Sequence, residues 1–205
     1  MITAIVLAGG RSSRFGADKL AADLGGRSLL AATIAAVASI ADGVAVAGPD
    51  LRDAADVGET PVALFRDPDP DAGPLAALDN VLGHAILTPG HLAIVVGGDM
   101  PLLVPSVLVR MLDVLDVDPT VDAVILAAPG DRSPRRQVLP LAVRIGPAAE
   151  AARAAVEAGD RSLRALVDRL STVELPAASW LPLDPSARTL TDVDTPTDLD
   201  RIRAT

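Results

Sequence analysis

The 205-residue chain carries 27 acidic against 18 basic residues, a formal net charge of −9, and is 50% apolar but only 1% aromatic, with no cysteine. Without cysteine there is no disulfide framework, thiol nucleophile, iron–sulfur cluster or thiolate zinc site, and two histidines, His84 and His91, are too few for a histidine metal site. The acidic balance and the scarcity of rings to stack on argue against nucleic acid as a partner.

The length suits a single domain over residues 1–205 with a core of small aliphatic side chains. The longest apolar stretch, residues 29–41, is too short to span a bilayer, and the start lacks the basic region of a signal peptide. No membrane partner and a cytoplasmic location are therefore expected.

In chain order, residues 3–7 (TAIVL) form a β-rich apolar run closed by Ala8-Gly9-Gly10, the pattern of a buried strand. Ser28 is placed to N-cap a helix over residues 29–41, with Gly43 as its stop. Strands are expected at 44–47 and 62–65, then a helix from Pro74, a residue tolerated in a first turn, to about residue 85. A strand at 92–96 precedes a helix from Pro105 and Ser106 to about residue 115. Strands at 123–127 and 139–143 precede a helix over 148–158, ended by Gly159. Ser162 is placed to cap a helix over 163–170, a strand follows at 173–175, and Thr195 is placed to cap a last helix from Pro196 to about residue 203. Segments 67–71 and 176–187 read as loops. Strands and helices that alternate in this way, with continuously apolar strands, predict an α/β fold: a doubly wound, mainly parallel sheet with helices on both faces. Ligands of such sheets bind at the carboxyl ends of the strands, near a switch point.

The first strand is followed by LAGGRSSRFGADKL, residues 7–20. Its glycines let the backbone approach a ligand closely. Arg11, Arg14 and Lys19 face one acid, Asp18, in an otherwise acidic chain. Backbone N–H groups with Arg and Lys suit a triphosphate. The loop is not a P-loop, because Gly10 and Gly16 enclose five residues and Ala17-Asp18 follow. It is not the G-x-G-x-x-G dinucleotide fingerprint either, since Gly9 and Gly10 are adjacent. Through Leu30 four cations meet two acids, an excess of +2 that leaves about −11 on the rest of the chain.

The run Leu7-Ala8-Gly9-Gly10, Ser12 or Ser13, Arg14, Phe15, Gly16, Asp18, Lys19 resembles the L-A-G-G-x-S-x-R-(M/F)-G-x-D-K signature of the molybdenum cofactor guanylyltransferase family, whose fold is a Rossmann-like nucleotidyltransferase. The resemblance implies that Leu7, Ala8, Gly9 and Gly10 bind the purine and ribose through the backbone, and that Arg14 and Lys19 hold the phosphates. Further along, Asp67 followed by Gly73, Pro74 and Leu75 is similar to the family's acid and G-P-L. By resemblance Asp67 touches the nucleotide, and Gly73–Leu75 bring a helix N-terminus to the site, which favours anions.

Asp99 ends the fourth apolar run in Gly97-Gly98-Asp99-Met100-Pro101. A carboxylate at the carboxyl end of a central strand is well placed to hold Mg²⁺, which takes one or two carboxylates plus phosphate oxygens and water. The family's D-x-P is matched, with Gly98 where a small residue or Cys stands. Near the C-terminus, Asp192-Val193-Asp194-Thr195-Pro196 resembles the family's N-x-N-T-P with both Asn replaced by Asp. Ionised Asp cannot donate a hydrogen bond and repels phosphate unless a cation intervenes. The D-x-D-T-P form is more usual in relatives that make the cytidine version of the cofactor. Thr195, Pro196 and Asp198 read as a helix start. Arg132, Arg135 and Arg136 suit either an exposed loop or an anionic acceptor, to which Asp192 and Asp194 would also be close. Gly159-Asp160-Arg161-Ser162-Leu163-Arg164 resembles the family's G-(D/E)-R stretch, which either faces the acceptor or only caps a helix. Trp180 and both histidines read as structural or surface residues.

The resemblance spans nearly the whole chain, with five motifs in family order. It implies transfer of a nucleoside monophosphate from GTP or another NTP to a molybdopterin-type phosphorylated acceptor, with Mg²⁺ and with pyrophosphate released. Arg14, Lys19 and Asp99 would carry the chemistry, and a cofactor-receiving protein is a further partner. The acceptor phosphate is the nucleophile, so none is needed from the protein, in keeping with a chain that lacks cysteine. A cytidylyltransferase of the same cofactor and a sugar- or alditol-phosphate nucleotidyltransferase are the alternatives. A non-catalytic nucleotide-binding regulator is disfavoured by intact Lys19 and Asp99.

Overall fold

The computed structural model describes residues 1–9, 19–48, 62–66, 72–84, 91–130 and 137–203. Apolar, β-branched runs form the strands β1 (Ile2–Leu7), β2 (Gly43–Gly48), β3 (Val62–Arg66), β4 (Leu92–Gly97), β5 (Ala123–Leu126), β6 (Leu141–Arg144) and β7 (Thr172–Leu175). They make one seven-stranded sheet in the order β3-β2-β1-β4-β6-β5-β7. β1 pairs in parallel with β2 and β4, and β2 with β3. β6 is antiparallel to both of its neighbours, whereas β5 and β7 are parallel to each other. Only β6 is reversed among these strands. The chain leaves β1 in one direction for β2 and β3 and returns on the other side with β4, so the switch point lies between β1 and β4.

Along each central strand, alternate side chains feed two cores. Ala4, Val6, Ile94 and Val96 face α1 (Leu29–Ala38) and α3 (Pro105–Val117). Ile5, Leu7, Ala93 and Val95 face α2 (Pro74–Leu82), α4 (Ile145–Glu157) and α5 (Leu163–Val167). Burial on both faces explains why the strands read as unbroken apolar runs. No helix among the described residues is long and apolar enough to cross a membrane.

The element boundaries follow local chemistry. Ser28 caps α1 as expected, its hydroxyl accepting from the Ala31 N–H. The helix nevertheless stops at Ala38, short of residue 41, and Ser39 turns its hydroxyl back onto the Ala36 carbonyl. Gly43 opens β2 and is not the helix stop. β6 starts at Leu141, after Pro140, which has no N–H to give a ladder. α4 begins directly at Ile145, three residues before its expected start, with Pro147 in the first turn where its missing N–H costs nothing. The Arg144 guanidinium donates to the Leu115, Asp118 and Val121 carbonyls, closing the C-terminal end of α3. α5 is shorter than the expected 163–170, with Ser162 as its cap.

Segment 176–187, expected as loop, contains the short helix α6 (Ala177–Trp180). Trp180 is fully buried and its indole N–H donates to the Ala127 carbonyl, so it is structural. A 3₁₀ turn (Arg188–Leu190) and α7 (Pro196–Arg203) complete the chain. Thr195 and Asp198 cap α7 reciprocally: the Asp198 carboxylate accepts from the Thr195 N–H, and the Thr195 hydroxyl accepts from the Asp198 N–H. Leu199 on α7 packs with Leu29 and Val193, which ties the C-terminal arm to the turn after Lys19.

Candidate active site

The site forms where the switch point leaves a gap, beyond the carboxyl ends of β1 and β4. The two strands stay joined there, with the Gly98 N–H donating to the Leu7 carbonyl. Beyond Leu7, the Ala8 N–H donates to the Ala47 carbonyl, and a side chain on Gly48 would stand 2.8 Å from the Ala8 oxygen. A glycine at that β2 position is what lets the Ala8-Gly9 backbone lie across the sheet end.

β4 then turns through Gly97-Gly98-Asp99-Met100. A Cβ on Gly97 would stand 2.5 Å from Asp99 Oδ1, so the missing side chain makes room for the carboxylate to fold back over the strand end. Thr33 on α1, fully buried, donates its hydroxyl to the Gly98 carbonyl and holds the turn from below. From above, the Val193 N–H of the C-terminal arm donates to the Asp99 carbonyl. Asp192 and Asp194 flank this bond, which brings them to the same place as Asp99.

Lys19 joins these pieces. Its ammonium donates to Asp99 Oδ2 at 2.7 Å and to Asp194 Oδ1 at 3.1 Å. The Lys19 side chain is only 14% exposed, against 25% for Asp99 and 51% for Asp194. Burial alone would lower the Lys19 pKa, but the hydrogen bonds and charges of Asp99 and Asp194 outweigh it and hold the ammonium above its ordinary value. Asp192 shows the reverse balance. Burial, with the charges of Asp194 and Asp99, raises its carboxyl above the usual range, and Lys19 offsets this only in part. Among the described residues, Lys19 bonds two carboxylates, Asp99 and Asp194, with the Asp192 charge beside them, a concentration of negative charge that a further cation would relieve.

A cleft of about 680 Å³ opens beside this cluster, with Asp99 and Asp192 in its wall. Opposite them stand Pro74 of α2 and Arg161, Ser162, Leu163 and Arg164 at the start of α5. Met100, Gln137, Val138 and Leu139 supply the rest of a lining that is both apolar and cationic. The α2 and α5 starts touch each other: the Leu75 N–H donates to the Arg161 carbonyl, and a Cβ on Gly73 would meet that oxygen at 2.8 Å. Gly73 has φ +89°, a conformation that glycine adopts without strain. Leu75 itself is fully buried in the core, so Pro74 is the member of the Gly73-Pro74-Leu75 group that lines the cleft.

Of the residues expected from sequence, the fold brings Lys19, Asp99, Asp192 and Asp194 together, with Leu7, Ala8 and Gly9 at the neighbouring strand end. Gly10, Arg14, Asp67, Arg132, Arg135 and Arg136 lie outside the described residues. Ser162 both caps α5 and lines the cleft, with Arg161, Leu163 and Arg164 beside it. Gln137, Val138 and Leu139 were not singled out in the sequence. They reach the cleft because they precede β6, whose reversed direction places its beginning at the rim where the parallel strands end. Among the described residues no group of three or more His, Cys, Asp or Glu is arranged to hold a metal ion.

The MobA-like NTP transferase domain model matches residues 4–173. A probable molybdenum cofactor guanylyltransferase from Chloroflexus aggregans is 33% identical over 210 residues, covering 100% of this chain and 94% of that protein. Among solved structures, molybdopterin-guanine dinucleotide biosynthesis protein A from Archaeoglobus fulgidus superposes with a TM-score of 0.77 at 22% identity, covering 98% of this chain and 97% of the other. A 4-diphosphocytidyl-2C-methyl-D-erythritol synthase from Anaerococcus prevotii superposes with a TM-score of 0.73 at 14% identity, covering 100% and 97% of the two chains. The chain belongs to the MobA-like NTP transferase family and is a nucleotidyltransferase.

Proposed function

We propose that this chain, as one domain over residues 1–205, transfers GMP from GTP to a molybdopterin-type phosphorylated acceptor. The acceptor's phosphate oxygen forms a bond to the α-phosphorus of GTP, the bond from that phosphorus to the β-phosphate oxygen breaks, and pyrophosphate leaves. The observation that carries this reading is the Lys19 ammonium, fixed between Asp99 and Asp194 at the mouth of a cleft walled by Arg161 and Arg164. The full-length similarity to a probable guanylyltransferase supports GTP and the cofactor as substrates.

The residues fit Mg²⁺. The ion needs only one or two protein carboxylates when phosphates supply the remaining oxygens. Asp99 would hold it, with Asp194 or Asp192 at hand, and the surplus negative charge among these groups has a use in doing so. The chemistry such an ion would supply there is neutralisation of phosphate charge. Lys19, together with Arg14, holds the triphosphate. The backbone at Leu7, Ala8, Gly9 and Gly10, with Asp67 and the Gly73-Pro74-Leu75 helix start, holds the nucleoside. Arg161 and Arg164 orient the acceptor's anionic group, with Arg135 and Arg136 as further contributors, and the apolar wall of Met100, Val138 and Leu139 takes its ring system. Placement and charge neutralisation supply the catalysis, and no protein nucleophile takes part. The substrates are of the kind met in the cytoplasm, and the product is passed to a cofactor-receiving protein.

Asp192 and Asp194, where N-x-N is usual, favour a second reading with CTP as donor. Competition binding of GTP, CTP and ATP in the presence of Mg²⁺ separates the two. GTP is expected to bind at least about tenfold more tightly than CTP, a difference of about 1.4 kcal/mol. A preference for CTP would replace the guanylyl reading with the cytidylyl one.

A further inference from the structure

The arm that delivers Asp192 and Asp194 is held by a buried carboxylate that the proposed reaction does not use. Asp184 is only 1% exposed. Its Oδ2 accepts the Thr189 N–H at 2.8 Å, while Oδ1 has no hydrogen-bond partner among the described residues and the Arg188 Nε stands 3.8 Å away. Between Asp184 and the 3₁₀ turn, Ala187 has φ +52°, a left-handed conformation that is rare outside glycine and asparagine. Thr189 is fully buried, and its hydroxyl accepts the Val104 N–H at 3.2 Å. Val104 ends the turn that begins at Asp99. Four residues beyond Thr189, Val193 bonds the Asp99 carbonyl at 3.0 Å, and between them the Leu190 carbonyl accepts from Gln137 at 3.0 Å.

A loop that only connects β7 to α7 has no need to bury a carboxylate or to hold an alanine in a left-handed turn, since both are costly. Backbone strain of this kind persists where its surroundings over-determine it, and it collects at functional sites. The network here points at one thing, the registration of two chain segments that both carry site carboxylates.

We propose that Asp184 is a positioning residue for nucleotidyl transfer. By fixing Thr189 against Val104, it sets the register of the 188–194 arm on the Asp99 turn, and so the placement of Asp192 and Asp194 opposite Asp99. This role rests on the transfer reaction proposed above. The arm is thereby bonded to the Asp99 turn on both sides of Asp192, at Thr189 and at Val193.

The test combines amide hydrogen exchange with Mg²⁺ titration of turnover on GTP, in Asp184→Ala, Asp184→Asn, Thr189→Val and Thr189→Ser. Asp184→Ala is expected to speed exchange at Thr189, Val104 and Val193 by about tenfold and to leave Ile5 and Val95 in the sheet centre unchanged, as local opening does. The Mg²⁺ concentration for half-maximal turnover should rise by about tenfold, the lower end of the effect seen when support for a metal ligand is lost. Thr189→Val should loosen Val104 in the same way while leaving Asp184 in place, so the link remains testable if Asp184→Ala does not fold. Asp184→Asn and Thr189→Ser keep an acceptor oxygen and should behave as the parent does. Exchange that quickens equally at Ile5 and Val95, or that stays unchanged at Val104 and Val193, would overturn the proposal. A parent protein that does not turn GTP over would sink the transfer reading instead, and the exchange pattern would still decide whether Asp184 registers the arm.

Discussion

Two halves of one sheet build the rim of the cleft by different means. In β3, β2, β1 and β4 all strands run the same way, so each delivers its carboxyl end to the rim, and the turns after β1 and β4 carry the Ala8-Gly9 backbone and the Asp99 carboxylate. In β6, β5 and β7 the reversed β6 delivers its beginning instead, with Gln137, Val138 and Leu139 just before it. The first half presents glycine turns and fixed charge. The second presents apolar surface and, from the start of α5, two arginines. A parallel arrangement suits a ligand gripped by backbone contacts at the strand ends. The mixed arrangement offers side chains, which can be exchanged without disturbing the sheet. Donor and acceptor recognition are thus expected to be separable by mutation.

The largest effect should come from the junction of the halves. Asp99→Asn keeps the size of the side chain but removes its charge from both Lys19 and the proposed magnesium site. Turnover is expected to fall at least about 100-fold, on the scale of losing one electrostatic stabiliser. The loss should not be recovered by raising the acceptor concentration. Steady-state kinetics at saturating Mg²⁺ check this, and near-parent activity would remove Asp99 from the metal site.

A smaller and more selective effect is expected in the second half. Arg161→Ala should raise KM for the acceptor by about tenfold, the loss of one charge-assisted hydrogen bond. GTP affinity, measured by direct binding, should stay as it was. Equal losses for donor and acceptor would break the division of labour between the halves.

Much of this arrangement was legible in the sequence. The seven apolar runs all became strands, and Ser28, Ser162 and Thr195 all cap the helices that follow them. Capping and apolar burial are local, so they leave a mark in a few adjacent residues. The direction of β6 leaves none, because a reversed buried strand has the same apolar pattern as a parallel one. Its consequence, the entry of Gln137, Val138 and Leu139 into the cleft, was therefore hidden. Gly97 shows a different limit. The motif around Asp99 drew attention to Gly98, yet it is Gly97 whose side chain would collide with the carboxylate, a fact that depends on the turn's geometry. Segment 176–187, expected as loop, contains α6 and the buried Asp184. The adjacent apolar pair Trp180-Leu181, which packs into the core, was the available sign of an ordered segment. The meeting of Lys19 with Asp194, 175 positions away, follows from α7 packing on Leu29, a tertiary contact with no local signature.

The smallest expected effect concerns Asp192, a site carboxylate whose charged form the fold disfavours. Burial and the neighbouring charges of Asp194 and Asp99 raise the native pKa of Asp192 above its value in the unfolded chain, 3.8, despite the pull of Lys19. Between that value and the raised one, the native state binds more protons than the unfolded state, so stability falls as pH rises through this window. Above the window the penalty is complete and constant. In the presence of a chelator, Asp192→Asn should therefore melt higher than the parent at pH 7. The gain should be modest, on the order of 1–3 °C for a chain of this size, because water screens a half-exposed group. Below the unfolded pKa both proteins carry an uncharged side chain and the difference should vanish, which thermal melts at pH 7 and near pH 3.5 would compare. A gain of the same size at both pH values would mean that shape, not charge, sets the cost. Mg²⁺ with GTP should narrow the pH 7 difference, since a cation at Asp99 relieves the repulsion that Asp192 feels in its absence.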